Sequence, residues 1–204
     1  MKILNAGRFE VTFNNGETIV KQGTASTHLI VLTKGMAKLF LEGIDKRNLI
    51  LDLVLPKRLF GGPGVFTDYR YHYSVTAIAE TSACFIAAEN VRKVLRSNPD
   101  FAEAILKHCN MNAAANFDRL ISLTQKQMPG RLSDTLIYLS KDVYHSTAFS
   151  LGITRQEMGE MSNMTKESTT RILKDFESEG ILSIDGKTIE LLNMDALNEI
   201  SRRG

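Results

Sequence analysis

The chain has 204 residues, 43% of them hydrophobic, and a formal net charge of +2. That is enough for one large domain or two small ones, each with its own core. There is no apolar run of about 18 residues and no apolar leader, so a membrane span and secretion are not expected and the cytoplasm is the expected setting.

Strand signals fill the first 88 residues. Phe9, Val11 and Phe13 alternate with polar residues, Asn15-Gly16 reads as a hairpin turn, and Thr18–Val20 continues beyond it. Leu29–Leu32 and Ala37–Leu41 flank a turn at Lys34-Gly35, and Asn48–Leu55 stops before Pro56. Residues 59–75, LFGGPGVFTDYRYHYSV, form a glycine-rich turn between hydrophobic runs. Such a turn can close backbone N–H groups around an anion, but this one carries a single basic residue, Arg70. Val75–Ile78 and Ala83–Ile86 complete a set of short strands that suits a sandwich or barrel.

The pattern then changes to helix. Ser97 or Asn98 can cap a helix with Pro99 in its first turn. From Phe101 to about Lys126 there is neither Gly nor Pro, and Ile105, Cys109, Ala113, Phe117, Leu120 and Leu123 recur at helical spacing. A helix of that length spans roughly 40 Å. It could pack along one domain, but its length favours a seam between two subunits, with Asn112 and Asn116 fixing the register. Met128-Pro129-Gly130 should break the run, followed by an amphipathic helix over Arg131–Tyr144 and a loop over His145–Gly152.

Residues 154–174, TRQEMGEMSNMTKESTTRILK, carry the strongest signal. Thr154 and Glu157 form a Thr-x-x-Glu capping box. Ser162-Asn163-Met164 supplies a tight turn in which Asn tolerates left-handed backbone. Thr165 caps a second helix whose Thr169, Ile172, Leu173 and Phe176 form a buried stripe, with Gly180 as the stop. The opposite face gathers Lys166, Glu167, Thr170, Arg171 and Lys174, beside Ser168. Arg can pair with guanine and Glu with cytosine in a major groove. Thr154, Arg155, Gln156 and Thr165 stand at helix starts, where hydroxyls and backbone N–H groups meet phosphates. Two short strands joined at Asp185-Gly186 make a wing after this helix-turn-helix. The agreement of cap, turn, stripe, polar face and wing points to double-stranded DNA as partner.

Over nearly its whole length the sequence resembles the Crp/Fnr family of bacterial transcription regulators. The residues that carry this are Glu17–Gly23, Leu29–Gly35, Ile153–Gly159 and Thr165–Arg171, and Phe117–Arg131 resembles the Bacteroidetes branch. The resemblance implies an α+β chain. It would comprise an N-terminal cyclic-nucleotide-binding-like β jelly roll (1–98), a long dimerisation helix (99–127) and a C-terminal winged helix-turn-helix (128–204). It also implies a homodimer on a pseudo-palindromic operator, with contact to RNA polymerase. Lys166, Glu167 and Arg171 would read bases and Arg155 would hold phosphate.

The resemblance also gives the glycine turn a meaning. Phe60-Gly61-Gly62 aligns with the phosphate-binding cassette of the cyclic-AMP receptor proteins. The Glu that grips the ribose there is Gly62 here, the Arg that neutralises phosphate is Tyr73, and Ser74 alone is kept beside Val75. The adenine-reading Thr-Ser pair is Asn116-Phe117. Without the charge-assisted arginine contact, tight cyclic-AMP binding is not expected. Phe60, Phe66, Tyr69, Tyr71, Tyr73 and Phe117 either line a pocket for an unknown apolar or planar effector or simply pack the barrel.

No cofactor is expected. Two cysteines, Cys84 and Cys109, cannot hold an iron–sulfur cluster, and haem would need His72 or Cys84 as ligand. A cupin-like metalloenzyme on the same jelly roll is the alternative from another class. It would need converging ligands, and the four histidines, His28, His72, His108 and His145, include no His-x-His pair. A regulator without effector, controlled by abundance or by a protein partner, is the third reading.

Overall fold

Which hydrophobic strands pair with which was decided by burial of both sheet faces, and a computed structural model shows the outcome for residues 2–204, apart from the side chains of Lys2 and Lys46. The chain divides into two compact units, Met1–Ala114 and Ala115–Gly204.

The first unit begins with a short helix, α1 (Lys2–Asn5), and then builds two four-stranded antiparallel sheets. The strands are β1 (Phe9–Phe13), β2 (Thr18–Val20), β3 (His28–Lys34), β4 (Ala37–Leu41), β5 (Leu49–Val54), β6 (Leu59–Phe60), β7 (Ser74–Ala77) and β8 (Thr81–Ala87). One sheet runs β1-β8-β3-β6 and the other β2-β7-β4-β5. Ile30, Leu32, Ala37, Val54, Phe60, Val75, Ala77 and Ala83 are buried in a shared core. The expected hairpin at Asn15-Gly16 is not formed. β1 pairs with β8 and β2 with β7, so this turn passes from one sheet to the other. The turn chemistry was legible, but its partner strands lie some 60 residues on and carry no local mark.

Two helices that the strand reading did not anticipate cover this sandwich: α2 (Gly62–Phe66), made from the glycine turn, and α3 (Ala88–Ser97). Val65, Ala88 and Val91 are buried with Leu29 in a second cluster, to which Leu4, Leu95 and Phe101 add. Asn98 accepts the Phe101 N–H at 3.0 Å and so caps α4 (Pro99–Gln125), which runs unbroken for 27 residues. None of its residues is buried.

The helical run does break, at Lys126-Gln127, just before the expected place, and in the second unit α5 starts at Met128, so Met128-Pro129-Gly130 forms its first turn. Proline has no N–H to lose there. The α-helix ends at Tyr138 and passes into a π-helical turn, Leu139–Val143, short of the Tyr144 expected. The segment expected as loop contains β9 (Ala148–Ser150). It is too short to show alternation, and only pairing with β11 (Thr188–Leu191) defines it. β10 (Leu182–Asp185) completes this three-stranded sheet. Between strands 9 and 10 lie α6 (Arg155–Met161) and α7 (Lys166–Ser178). α8 (Met194–Arg203), also unanticipated, packs on α5 around the fully buried Leu197.

Gly35 sits at φ +83° between β3 and β4, and a Cβ there would come within 2.3 Å of the Glu80 carbonyl oxygen. Gly35→Ala is therefore expected to cost about 2 kcal/mol or more, read as a lower midpoint in urea unfolding.

Candidate functional site

The helix-turn-helix is assembled from hydrogen bonds that its own sequence supplies. The Thr154 hydroxyl accepts the Glu157 N–H at 3.1 Å, and the Thr154 N–H donates to the Glu157 carboxylate at 2.8 Å. This reciprocal box starts α6. The turn that follows places Asn163 at φ +50°. The Thr165 hydroxyl then accepts the Ser168 N–H at 3.2 Å and starts α7. Each such cap is worth about 1 kcal/mol.

Gly159 sets the approach of the two helices. Its position would put a Cβ 2.7 Å from the Met164 carbonyl oxygen and 2.9 Å from the Thr169 hydroxyl. Thr169 is fully buried and spends that hydroxyl on the Thr165 carbonyl, 2.9 Å away. Met158, Met161, Ile172, Leu173 and Phe176 complete the buried seam. Each large apolar side chain removed from water contributes about 1.5–3 kcal/mol. A stripe held this way fixes the rotation of α7 about its axis, and with it the identity of the outward residues.

Those outward residues are the ones the sequence proposes. Lys166, Glu167, Arg171 and Lys174 are exposed, while Ser168 and Thr170 are half-buried. The Glu167 carboxyl is held below the usual range, first by its own backbone N–H and then by the Thr165 hydroxyl, so it stays ionised. Arg171 has only a long contact to Asp175, 3.9 Å, at a site where both side chains are well exposed. Such a pair holds its guanidinium weakly. At the start of α6, Thr154 and Gln156 are exposed and Arg155 is half-buried. Burial lowers the Arg155 pKa, the Glu177 carboxylate opposes this, and Nη1 is buried without a hydrogen-bond partner.

Sequence reasoning missed what holds α6. Arg119 of α4 donates to the Met161 carbonyl at 2.6 Å, at the C-terminal end of α6, where a cation suits the helix dipole. Thr135 of α5 meets Ser162 hydroxyl to hydroxyl at 2.8 Å in a buried contact. These partners are 42 and 27 residues apart in the chain, so no motif marks them.

In the first unit the structure brings Phe60, Gly61, Tyr73, Ser74 and Val75 together, with Gly62 alongside. Gly61 adopts φ +93°, and its N–H donates to the Tyr73 phenol oxygen at 2.6 Å. Ser26 donates to the Gly61 carbonyl at 3.3 Å. Burial pushes the Tyr73 phenol up to about 12, so the group is neutral. Ser74 is buried; its hydroxyl accepts the Gln22 N–H at 2.9 Å and donates to the Glu42 carboxylate. Glu42 in turn pairs with Lys21 at 2.7 Å, and Lys21 with Ser74 holds its carboxyl below the usual range. Phe60 and Tyr71 are core residues. Phe66 and Tyr69 line a different cleft, with Arg92 and Arg96. Asn116 and Phe117 belong to the second unit, where both are exposed. His72 pairs with Asp68 at 3.0 Å, and Cys84 is half-buried in β8. Among the described residues no three His, Cys, Asp or Glu side chains gather as a metal site.

An antiparallel sandwich, a long helix and a winged helix-turn-helix with an open polar face form the architecture of a DNA-binding regulator. Residues 10–98 match the cyclic nucleotide-binding domain and residues 130–200 the Crp-like helix-turn-helix domain. The cAMP-activated global transcriptional regulator CRP of Pasteurella multocida is 29% identical over 180 residues, covering 84% of each chain. A CRP-like cAMP-activated global transcriptional regulator of Mycobacterium tuberculosis is 22% identical over 196 residues, covering 94% of this chain and 88% of that one. Among solved structures, FixK2 from Bradyrhizobium japonicum superposes with a TM-score of 0.87 at 19% identity, over 95% of this chain and 96% of that chain. The c-di-GMP responsive regulator CLP of Xanthomonas campestris gives 0.81 at 20% identity, over 93% and 96%. The chain belongs to the Crp/Fnr family and is a DNA-binding transcription regulator of that type.

Because a Cβ at 159 meets backbone as well as side chain, Gly159→Ala should destabilise the second unit by about 1–3 kcal/mol. A lower thermal midpoint, together with weaker DNA binding measured at the same temperature, would register this.

Proposed function

We propose that the protein is a homodimeric regulator which reads a pseudo-palindromic operator with α7 and does not respond to cyclic AMP. The observation that carries the reading half is the face of α7. Lys166, Glu167, Arg171 and Lys174 stand in solvent on a helix whose other side is locked in the core. In this reading Lys166, Glu167 and Arg171 meet base edges. Thr154, Arg155, Gln156, Thr165, Ser168, Thr170 and Lys174 hold the helix against the strands. Residues 128–204 form the reader, 99–127 the pairing helix and 1–98 the effector part. Contact with RNA polymerase, a cytoplasmic setting and the absence of catalysis belong to the same proposal.

Pairing is supported by α4, which leaves Leu106, Met111, Phe117, Leu120 and Ile121 between 51% and 65% exposed. A second copy of the helix would cover them. It would also set the two copies of α7 roughly 34 Å apart, one turn of DNA. Indifference to cyclic AMP is supported by the Gly61–Tyr73 hydrogen bond. The phenol takes the backbone donor that a phosphate oxygen would need, and it brings no positive charge in exchange. Glu42, bound to Ser74, adds a negative charge beside the one cassette hydroxyl that is kept. The same closure favours the second reading, a regulator without small-molecule effector that is controlled by its abundance or by a protein partner.

Four measurements decide these points. Arg171→Ala should lose about 1–3 kcal/mol of discrimination at one base position, while Arg155→Ala weakens binding to all sequences alike; operator affinities that match the wild type for both reject the assigned roles. Phe117→Asp with Leu120→Asp should turn a sedimenting dimer into a monomer, and a wild-type monomer at micromolar concentration rejects pairing. Cyclic AMP should leave operator affinity and thermal midpoint unchanged, since a ligand of the folded state must raise apparent stability. Position 62 has open space for a side chain, so Gly62→Glu with Tyr73→Arg should create a thermal shift with cyclic AMP that the parent lacks.

A further inference from the structure

The first unit carries a cleft that shares no residue with the closed cassette. Val65, Phe66, Tyr69, Arg92, Leu95 and Arg96 line it, on α2, the turn after it, and α3. Val65 is the buried floor, whereas Phe66 and Tyr69 are 45% and 60% exposed. Tyr69 is held at φ +60°, an unfavoured backbone for an aromatic residue. Its N–H donates to the Gly64 carbonyl at 2.8 Å. Arg92 lies 5.0 Å from the centre of the Tyr69 ring and donates to the Val65 carbonyl. The cleft is therefore built before anything enters it.

Its charge is one-sided. No carboxylate lines it. Glu89, on the same helix, pairs first with Lys93 at 2.7 Å, and Asp68 hydrogen-bonds His72 at 3.0 Å. Arg96 is exposed and, among the described residues, has no carboxylate partner. Arg92 spends its hydrogen bond on the neutral Val65 carbonyl and is attracted to the Glu89 carboxylate on the same helix, so Arg96 is the less engaged of the two cations. The volume, about 290 Å³, falls just below the roughly 300–1,000 Å³ of enclosed small-molecule sites. It suits one inserted side chain. Exposed Tyr and Arg around an apolar floor are the residue types that dominate protein–protein hot spots.

We propose that this cleft docks an acidic segment of a partner protein, with one large apolar side chain seated among Phe66, Tyr69 and Leu95 and flanking carboxylates on Arg92 and Arg96. Arg96 is the specificity element, because its charge is free and its fork can take a carboxylate with two hydrogen bonds.

The test uses the full chain and a fluorescein-labelled peptide in which a single Phe is flanked on both sides by Asp. Saturable binding is expected, about tenfold or more tighter than for the same peptide with Asn in place of Asp, and than for the peptide with Ala in place of Phe. Arg96→Glu should abolish the advantage of Asp over Asn, and Tyr69→Ala should abolish the advantage of Phe over Ala. Both positions are exposed; a variant whose thermal midpoint falls is replaced by Arg96→Gln or Tyr69→Ser. Equal binding of the Asp and Asn peptides, or an unchanged affinity in Arg96→Glu, overturns the proposal. So does a loss of operator affinity in Arg96→Glu with peptide binding unchanged, which would assign the cleft to nucleic acid. Operator binding by the wild type is measured in parallel, so that failure of this docking site is separable from failure of the DNA-reading assignment.

Discussion

The close approach of α6 and α7 at Gly159 is the constraint on which the reading surface depends. With no side chain at 159, the Met164 carbonyl and the Thr169 hydroxyl can lie where a Cβ would otherwise be. Thr169, Leu173 and Phe176 are then drawn into one seam with Met158 and Met161. Once that seam is formed, 3.6-residue periodicity leaves no choice about which residues face solvent. Lys166, Glu167, Arg171 and Lys174 are outward because the others are inward. The proposed reading face thus rests on a packing seam to which the side chains of Lys166, Glu167, Arg171 and Lys174 contribute nothing.

A different physical logic governs the sandwich. A backbone loop able to surround an anion must keep its N–H groups unsatisfied until the anion arrives, which costs free energy when the loop is sheltered from water. Here the Gly61 N–H has an internal acceptor in Tyr73, and the Ser74 hydroxyl has Gln22 and Glu42. The donors of this turn are thus satisfied within the protein. The same unit carries two arginines, Arg92 and Arg96 of α3, on a separate cleft.

α4 contributes residues to both units. His108 lies with Nε2 3.3 Å from the Leu59 carbonyl in the first unit, and Arg119 grips the end of α6 in the second. Lys126, in the second unit, joins Asp134 at 2.9 Å in a network with Ser122 and Ser201. The helix that presents exposed apolar residues along its length is therefore also hydrogen-bonded, within each unit, to β6 and to α6.

The sequence by itself determined what is written in contiguous residues. The capping box at Thr154 and Glu157, the left-handed Asn163, the stripe Thr169–Phe176 and the wing turn at Gly186 are local, and each took the form its own residues dictate. So did the unbroken helix from Pro99. Only the tertiary structure decided that the turn at Asn15-Gly16 joins two sheets instead of making a hairpin, that Ala148–Ser150 is a strand, and that the Tyr73 phenol closes on Gly61. The division has one cause. Helix periods and caps act over three or four residues, whereas strand partners and side-chain hydrogen bonds across a core are chosen by total burial, among residues that the chain keeps far apart until it folds.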